Sequence, residues 1–250
     1  MKLLAFGDSF TTGEWDKVCH SDASYVARLC EIKDSVFDSW DNYARGGYSN
    51  VQIAFSIYKY LQENTNNCTD IFFLIGWTSH ARYSIANVRH EDTRKVYVAH
   101  DAYDFVGDPA RYPRSSNLLI YETDMAILAI HTLLQQTNVP FAMIQAFDDH
   151  TNHPWSVIKD LPNWINGDKP ANTLMHIVAD RYLDACSDTL PPNSKYFEYN
   201  WISTLTPNQY IASCWHPNEQ GHALIAKTLY PYLKHRISLS TPKKCPNTDS

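Results

Sequence analysis

Short, almost continuously apolar runs alternate along this chain with longer stretches in which apolar residues recur every three or four positions. The runs are typical of buried strands and occupy residues 2–6, 35–43, 70–76, 139–147 and 196–202. The longer stretches predict helices at residues 50–63, 123–136, 173–187 and 219–233, with Pro231 expected to kink or end the last one. Strands that are apolar on both faces belong to parallel sheets covered by helices. We therefore predict an α/β fold, a three-layer α/β/α sandwich around a central, mostly parallel sheet of about five strands.

The 250 residues fit one domain, which we place at residues 1–237, followed by a polar tail at residues 238–250. Two long polar and aromatic insertions interrupt this domain, at about residues 80–117 and 148–170. Both follow the carboxyl ends of predicted strands, where open α/β sheets bind ligands. Arg82, near the start of the first insertion, is our candidate for contact with a polar ligand, sugar-like or anionic. The alternative is a solvated hairpin with a small aromatic core of its own.

Charge and cysteine usage argue against several classes of partner. The formal net charge of −6 disfavours broad electrostatic binding of nucleic acid. The six cysteines form no CxxC pair and no zinc-ligand spacing, so we expect reduced thiols. We recognise no signal peptide before Gly7 and no apolar run of the ~18 residues that a membrane span needs, so we expect a cytoplasmic protein without a membrane partner. The oligomeric state stays open.

The block Gly7-Asp8-Ser9 directly follows the first predicted strand. A serine at this strand-to-helix turn would lie at the carboxyl edge of the sheet, with its hydroxyl and backbone N–H free to face a ligand. The same three residues are also common in turns and helix caps. The block therefore indicates either a nucleophile or a cap.

A second block, Cys214-Trp215-His216-Pro217-Asn218, comes just before the last predicted helix. Asn218 can cap that helix, and His216 can reach a serine at the neighbouring strand edge and act as its base. The alternative is an ordinary surface histidine, because the chain contains 11 histidines.

Two more blocks follow predicted strands at the same edge of the sheet. Gly46-Gly47 comes between the second strand and the next helix, and a glycine there permits the exposed N–H that an oxyanion hole requires. A plain Gly-Gly turn is the alternative. Residues 76–79 end the third strand as Gly-Trp-Thr-Ser and offer hydroxyl donors.

In their order and placement, these four blocks resemble the SGNH (GDSL-type) hydrolase superfamily over residues 1 to about 235. The family's nucleophile block matches residues 7–9, and its oxyanion glycine block matches Asn42, Ala44 and Gly47. Its His-Pro-Asn block with a following Gly-His pair matches residues 216–218 and 221–222. Each block is short, so order and placement carry the resemblance.

The resemblance implies a flavodoxin-like fold and acyl-transfer chemistry without a cofactor. It implies that Ser9 is the nucleophile, that His216 is its base, and that Ser9, Gly47 and Thr78 form the oxyanion hole. In its compact length and its Gly-Trp-Thr-Ser variant, the chain is similar to hydrolase-like proteins of bacteriophages. For a phage protein the expected location becomes the host cytoplasm or the virion.

Two departures separate this chain from the family pattern. The third block is usually Gly-x-Asn-Asp, whose asparagine donates to the oxyanion, so Thr78 would have to donate through its hydroxyl. Losing one such donor can cost about 100- to 1000-fold in turnover. The family's aspartate lies two or three residues before the histidine, where this chain has Ser213 and Cys214. Cys214 itself is better interpreted as an inert thiol than as a nucleophile.

Catalysis without that aspartate is possible in two ways. The acid of a triad orients the histidine and stabilises its charged form without taking the proton. A backbone carbonyl can hold the imidazole instead, which leaves a slower Ser9–His216 dyad. Alternatively, a carboxylate from the second insertion, such as Asp148 or Asp149, fills the role.

We therefore expect a serine esterase that hydrolyses a small acyl group, an O-acetyl ester of carbohydrate type, through an acyl-serine intermediate. Candidate substrate-binding residues are Asp8, Trp77, Arg82 and Trp215. The alternative is a binding or structural module that has kept the fold and lost efficient catalysis. A metal-dependent phosphoesterase is a third interpretation, and it rests only on the Asp/His cluster at residues 148–153. We expect no metal and no cofactor.

Overall fold

The computed structural model describes residues 1–64, 70–79, 82–86, 97–101, 116–146, 158, 161–165, 173–175, 177–178, 209–214 and 216–240. Its strands are β1 (Lys2–Phe6), β2 (Glu14–Trp15), β3 (Val18–Cys19), β4 (Ser39–Asn42), β5 (Ile71–Trp77), β6 (Arg82–Ala86), β7 (Tyr97–Asp101) and β8 (Phe141–Gln145). Its helices are α1 (Ser9–Thr12), α2 (Tyr25–Glu31), α3 (Asn50–Glu63), α4 (Ser116–Thr137) and α5 (Glu219–Ser240), with a short 3₁₀ helix at Ser21–Ala23.

Strands β4, β1, β5 and β8 form the central sheet in that order, and each neighbouring pair runs parallel. Beyond β8, Trp164 and Thr173 pair as single residues, also in parallel, with Met143 and Gln145. The predicted α/β fold with a mostly parallel sheet is confirmed. The strand predicted at residues 196–202 lies outside the described residues.

Each face of this sheet carries its own hydrophobic core, because successive side chains of a strand point to opposite faces. On one face, Leu3 and Leu74 belong to a core that includes buried residues of α2 and α5. On the other face, Leu4, Phe73 and Trp77 belong to a core that includes buried residues of α3 and α4. The chain therefore has helices on both sides of the sheet. These two helical layers and the sheet between them are the three predicted layers.

Helix α3 spans the predicted residues 50–63 because its start is well specified. Ser49 accepts a hydrogen bond from the Gln52 N–H, and the Gln52 side chain accepts one from the Ser49 N–H, which makes a capping box. The next helix, α4, was predicted from residue 123 and begins at Ser116 instead. Residues 116 and 117, the last two of the predicted first insertion, therefore belong to this helix.

For Pro231 the sequence predicted either a kink or the end of the last helix, and the structure contradicts the second of these. Helix α5 continues through this proline to Ser240, so the helix does not end there, and residues 238–240 are helical rather than part of a tail. A proline removes one backbone hydrogen bond from a helix. Leu229 and Leu233, on either side of Pro231, are fully buried in the core, and this packing compensates for the loss.

Both insertions contribute regular contacts where the structure describes them. In the first, β6 and β7 form an antiparallel pair. In the second, Ile158 and Trp164 are buried beside β8, and the Trp164 indole N–H donates to the Ile158 carbonyl at 2.8 Å. Part of the second insertion is therefore core structure and not a ligand loop.

Helix α4 is the one helix among the described residues that is long and apolar enough to cross a membrane, over Leu118–Thr137. Its apolar side, with Ile127, Ile130 and Leu134, is buried in the core on the α3 side of the sheet. These contacts account for its composition as that of a core helix.

Near the N-terminus, β2 and β3 form a hairpin that the sequence did not reveal. Its two-residue turn consists of Asp16 and Lys17, whose φ angles are 50° and 64°. Positive φ at both turn residues suits the right-handed twist of a hairpin, and such turns are usually marked by Asn-Gly or Asp-Gly. Asp-Lys carries no such signal, so this hairpin was missed.

Candidate active site

Ser9 is the first residue of α1 and follows β1 at the carboxyl edge of the sheet. Asp8 caps the helix, with its Oδ1 accepting the Phe10 N–H at 3.0 Å. As the first residue of a helix, Ser9 has a backbone N–H without an intrahelical acceptor. Its hydroxyl and its N–H are thus presented at the same helix end.

His216 reaches this serine from the loop before α5. Its Nε2 lies 2.8 Å from Ser9 Oγ, and its Nδ1 lies 2.9 Å from the Cys214 carbonyl oxygen. A carbonyl oxygen can only accept, so Nδ1 carries a proton and donates to Cys214, which leaves Nε2 of the neutral ring free to accept from Ser9. The backbone carbonyl thus occupies the place that a carboxylate has in a triad.

The loop that carries His216 is a small closed structure. The Ala212 N–H donates to the His216 carbonyl at 2.9 Å, and the Asn218 N–H donates to the Tyr210 carbonyl at 3.0 Å. Asn218 also accepts the Gly221 N–H through its Oδ1, which caps the start of α5 as predicted. These bonds leave Ser213 and Cys214 at the tip of the loop.

The glycine loop after β4 is attached next to Ser9. The Arg45 N–H donates to the Gly7 carbonyl at 3.1 Å, and Asn42 bridges the Thr11 carbonyl and the Ala44 N–H. Further along this loop, Gly47 is exposed and has a φ of 76°, a left-handed conformation that favours glycine. In the part of the chain that the structure describes, the Gly47 N–H donates to no acceptor.

Thr78 does not fit the role predicted for it. Its hydroxyl donates to Asp8 Oδ2 at 2.6 Å, and a hydroxyl has only one proton to donate. Its backbone is also engaged, since its N–H donates to Asn50 and its carbonyl accepts from Asn50 and Gln145. The expectation that Thr78 donates to an oxyanion is therefore corrected: this side chain holds Asp8.

Two of the predicted substrate-binding residues are buried within the protein. Asp8 is fully buried and serves as a helix cap and as the acceptor for Thr78. Trp77 is fully buried in the core between the sheet and the α3–α4 layer, because β5 extends through it. Arg82 begins β6, where its backbone pairs with Asp101, and Trp215 lies outside the described residues.

Asn50 is a site residue that sequence reasoning did not single out. It is buried at the start of α3, and its amide group makes a two-way contact with the backbone of Thr78, at 2.8 and 3.0 Å. It also donates to Thr123 of α4. Asn50 therefore fixes the end of β5 next to Asp8. An asparagine at the predicted start of a helix, directly after the glycine loop, was the signal available in the sequence.

Buried polar groups also underlie the site on the α2 side. The Tyr25 N–H at the start of α2 donates to His222 Nδ1 at 3.2 Å, and the Tyr25 hydroxyl lies 3.1 Å from Thr11 Oγ1. Burial raises the pKa of Tyr25 well above its usual range. Burial lowers the pKa of His222 to about 3, with the neighbouring His216 as the next cause. Both side chains are therefore neutral near pH 7.

The described residues contain no group of three or more side chains that could hold a metal ion. The Asp/His cluster at residues 148–153, and with it the alternative acids Asp148 and Asp149, lies outside them. Cys214 is a free thiol whose Sγ accepts the Asp16 N–H at 3.1 Å. The groups that the described site brings together are a serine, a histidine and backbone N–H and carbonyl groups.

No protein-family model matches the chain, and no curated protein matches its sequence. A match in fold is found in the psychrotrophic esterase EstA from Pseudoalteromonas sp., whose structure was solved with monoethylphosphonate as inhibitor. The match has a TM-score of 0.50 and 14% sequence identity, and it covers 95% of this chain and 98% of the esterase. This chain has the fold of that esterase.

Weaker similarities are found to two other solved structures. TesA matches with a TM-score of 0.47 and 11% identity over 94% of this chain and 99% of its own. The acetyl xylan esterase AlAXEase matches with a TM-score of 0.43 and 13% identity over 93% and 99%. At 14% identity, the match to EstA shows the fold alone, so the roles of individual residues rest on the geometry of this chain.

Proposed function

We propose that this chain is a serine esterase. The observation that carries the proposal is the 2.8 Å contact between Ser9 Oγ and His216 Nε2, in a histidine whose Nδ1 proton is held by the Cys214 carbonyl. A nucleophile within hydrogen-bond reach of a base that is itself oriented by a third group is the arrangement required for covalent catalysis. This arrangement is what distinguishes the site from a helix cap.

The reaction proceeds in two acyl-transfer steps. Ser9 Oγ attacks the ester carbonyl carbon while His216 Nε2 takes the hydroxyl proton, and His216 then returns this proton to the departing alcohol. A water molecule next attacks the acyl-serine, giving its proton to His216, which passes it to Ser9 as the carboxylic acid leaves. The first step leaves Ser9 acylated and transfers its proton to the alcohol, and the second step restores the Ser9 hydroxyl and the neutral histidine, so one cycle consumes one ester and one water molecule.

Backbone N–H donors stabilise the negative charge of each tetrahedral intermediate. The N–H groups of Ser9 and Gly47 are the donors that we assign to the oxyanion hole, since neither has an acceptor among the described residues. Thr78 is engaged with Asp8 and is not a third donor. With two donors and a carbonyl in place of an acid, turnover slower than that of a full triad is expected.

A small acyl group on a hydroxyl-rich alcohol is the substrate class that we propose, an O-acetyl ester of carbohydrate type. The Glu14 carboxylate lies directly against Gly46, next to Gly47, so a substrate at the oxyanion loop meets an acidic side chain. Such a neighbour favours hydroxyl donors and disfavours anionic substrates. A bacteriophage origin and a cytoplasmic location stay predictions of the sequence.

The second candidate function is a binding module that has lost efficient catalysis. The engagement of Thr78 by Asp8 favours it, because one expected oxyanion donor is thereby missing. The absence of a carboxylate at residues 213 and 214 points in the same direction. Both candidates use the same fold, so reactivity of Ser9 separates them.

The test is labelling with a fluorophosphonate, followed by intact-mass analysis and mapping of the adduct. This reagent phosphonylates an activated serine whatever the natural substrate. We expect a single adduct on Ser9 that is lost in Ser9→Ala and His216→Ala. Ser39→Ala and His235→Ala change exposed residues of the same types and should label like the wild type.

A folded wild-type protein that gains no adduct would contradict the esterase and favour the binding module. If the adduct forms, p-nitrophenyl acetate and octanoate, together with acetylated and deacetylated sugars, define the acyl and alcohol preferences. Faster hydrolysis of the octanoate than of the acetate would contradict the proposed small acyl group.

A further inference from the structure

The acceptor that orients His216 lies on the loop tip, which consists of Ser213 and Cys214. His216 Nδ1 donates to the carbonyl of Cys214, only two residues earlier in the chain. The two backbone bonds that close the loop, from Ala212 and Asn218, lie below this tip. Something besides the loop itself must therefore keep the Cys214 carbonyl in line with the imidazole.

Two contacts of Asp16 meet this requirement. The Asp16 N–H donates to Cys214 Sγ at 3.1 Å, and the Ser213 hydroxyl donates to Asp16 Oδ1 at 3.2 Å. The backbone and the side chain of one residue thus hold Cys214 and the residue before it. Ser213 stands where the family pattern that the sequence resembles can carry its aspartate, and here it is bound by a carboxylate from elsewhere in the chain.

The β2–β3 hairpin is a firm support for these contacts. It follows directly from α1, the helix that begins with Ser9, and the His20 N–H donates back to the Gly13 carbonyl at 2.9 Å. The Trp15 ring stacks on His20 with centroids 3.9 Å apart and lies 5.3 Å from His222 of α5. Asp16 therefore connects the element that carries the nucleophile to the loop that carries the base.

We propose that Asp16 is a positioning residue for His216, acting through Ser213 and the Cys214 carbonyl. It does not touch the reacting atoms. By fixing the loop tip, Asp16 keeps the His216 Nδ1–H donating to the Cys214 carbonyl and keeps Nε2 directed at Ser9 Oγ. This inference rests on the proposed esterase function, because it concerns how the same serine is activated.

The test compares rate constants for fluorophosphonate labelling of Ser9 in variants of residues 16 and 213. Asp16→Gly and Ser213→Ala each remove the hydroxyl–carboxylate contact, and glycine accepts the positive φ of this turn without strain. Each should slow labelling about tenfold, which corresponds to one hydrogen bond to a charged group. The double variant should also be about tenfold slower rather than a hundredfold, because both changes remove the same contact.

Two further variants separate positioning from a general effect on the fold. Asp16→Asn keeps an oxygen acceptor, although an uncharged one, and tolerates a positive φ, so it should label faster than Asp16→Gly and within about threefold of the wild type. Asp34→Gly is the matched control, since Asp34 is also an exposed aspartate with positive φ, at 61°, in a different part of the chain. It should label at the wild-type rate.

Three results would overturn the inference: wild-type labelling by Asp16→Gly, a double variant as slow as the product of the single effects, or an Asp16→Asn as slow as Asp16→Gly. Each leaves the esterase proposal standing, because the wild type is still labelled at Ser9. A wild type that fails to label overturns both, and thermal unfolding of each variant confirms that the folded state is being compared.

Discussion

Lowering the pH should destabilise the fold through one buried residue, His222. Its side chain is fully buried, its Nδ1 accepts the Tyr25 N–H, and the pKa of the ring is lowered to about 3. Burial is the main cause, and the charges of His216, Arg28 and His20 lower the pKa further. The ring therefore stays neutral in the folded protein throughout the mildly acidic range.

The size of the effect follows from proton linkage. An unfolded histidine has a pKa of about 6.5, so below that pH the unfolded chain binds a proton that folded His222 does not bind until the pH approaches 3. Stability contributed by His222 is thus complete above pH 6.5 and is lost as the pH falls. At about 1.4 kcal/mol per pH unit, the loss between pH 7.5 and pH 5.0 is about 2 kcal/mol.

The assay is urea unfolding at pH 7.5 and pH 5.0 for the wild type and for His222→Asn. Asparagine offers an oxygen that can accept the Tyr25 N–H but does not titrate. The free energy of unfolding should fall by about 2 kcal/mol less in this variant than in the wild type. His235→Asn, at an exposed position of the same helix, controls for the loss of a histidine and should keep the wild-type pH dependence.

Equal losses of stability in the wild type and in His222→Asn would refute the reasoning. Such a result would mean that His222 takes up a proton in the folded state as readily as in the unfolded chain. In that case, either the His222 ring is not buried in solution or its Nδ1 does not accept the Tyr25 N–H.

Two other substitutions test the local architecture. Thr78→Val removes a hydrogen bond to the buried Asp8 carboxylate, so urea unfolding should show that it destabilises the fold by about 2 kcal/mol. If stability is unchanged and the labelling of Ser9 is slowed more than 100-fold, Thr78 is an oxyanion donor instead. Gly7→Ala places a Cβ against the Thr11 side chain and 2.9 Å from the Gly76 carbonyl, so it should cost about 1–3 kcal/mol, and an unchanged melting temperature would contradict this packing.

Much of the fold could be predicted because its signals are local. The apolar runs at β1 and β5 and the apolar periodicity of α3 each depend on residues within one segment, and the structure places these elements as expected or within a few residues. Pro231 shows the limit of such reasoning. A proline inside a helical pattern predicts a stop, but burial of Leu229 and Leu233 in the core carries α5 past it.

The sequence by itself determined which chemistry-bearing groups end at one edge of the sheet. Ser9 follows a buried strand and His216 precedes a helix, and each block by itself left a plainer alternative open; the order and placement of all four blocks, through the family resemblance, predicted that the two residues meet. The sequence also indicated that no aspartate two or three residues before His216 could supply an acid, which left a backbone carbonyl as one of two solutions.

Only the tertiary structure decided how the remaining polar groups are used. Thr78 and Asp8 are 70 residues apart, and Asp16 and Ser213 are 197 apart, so no local pattern could pair them. Whether a hydroxyl donates to a ligand or to a buried carboxylate depends on which acceptor packing places within 3 Å of it. That choice is made when the sheet, the β2–β3 hairpin and the histidine loop come together.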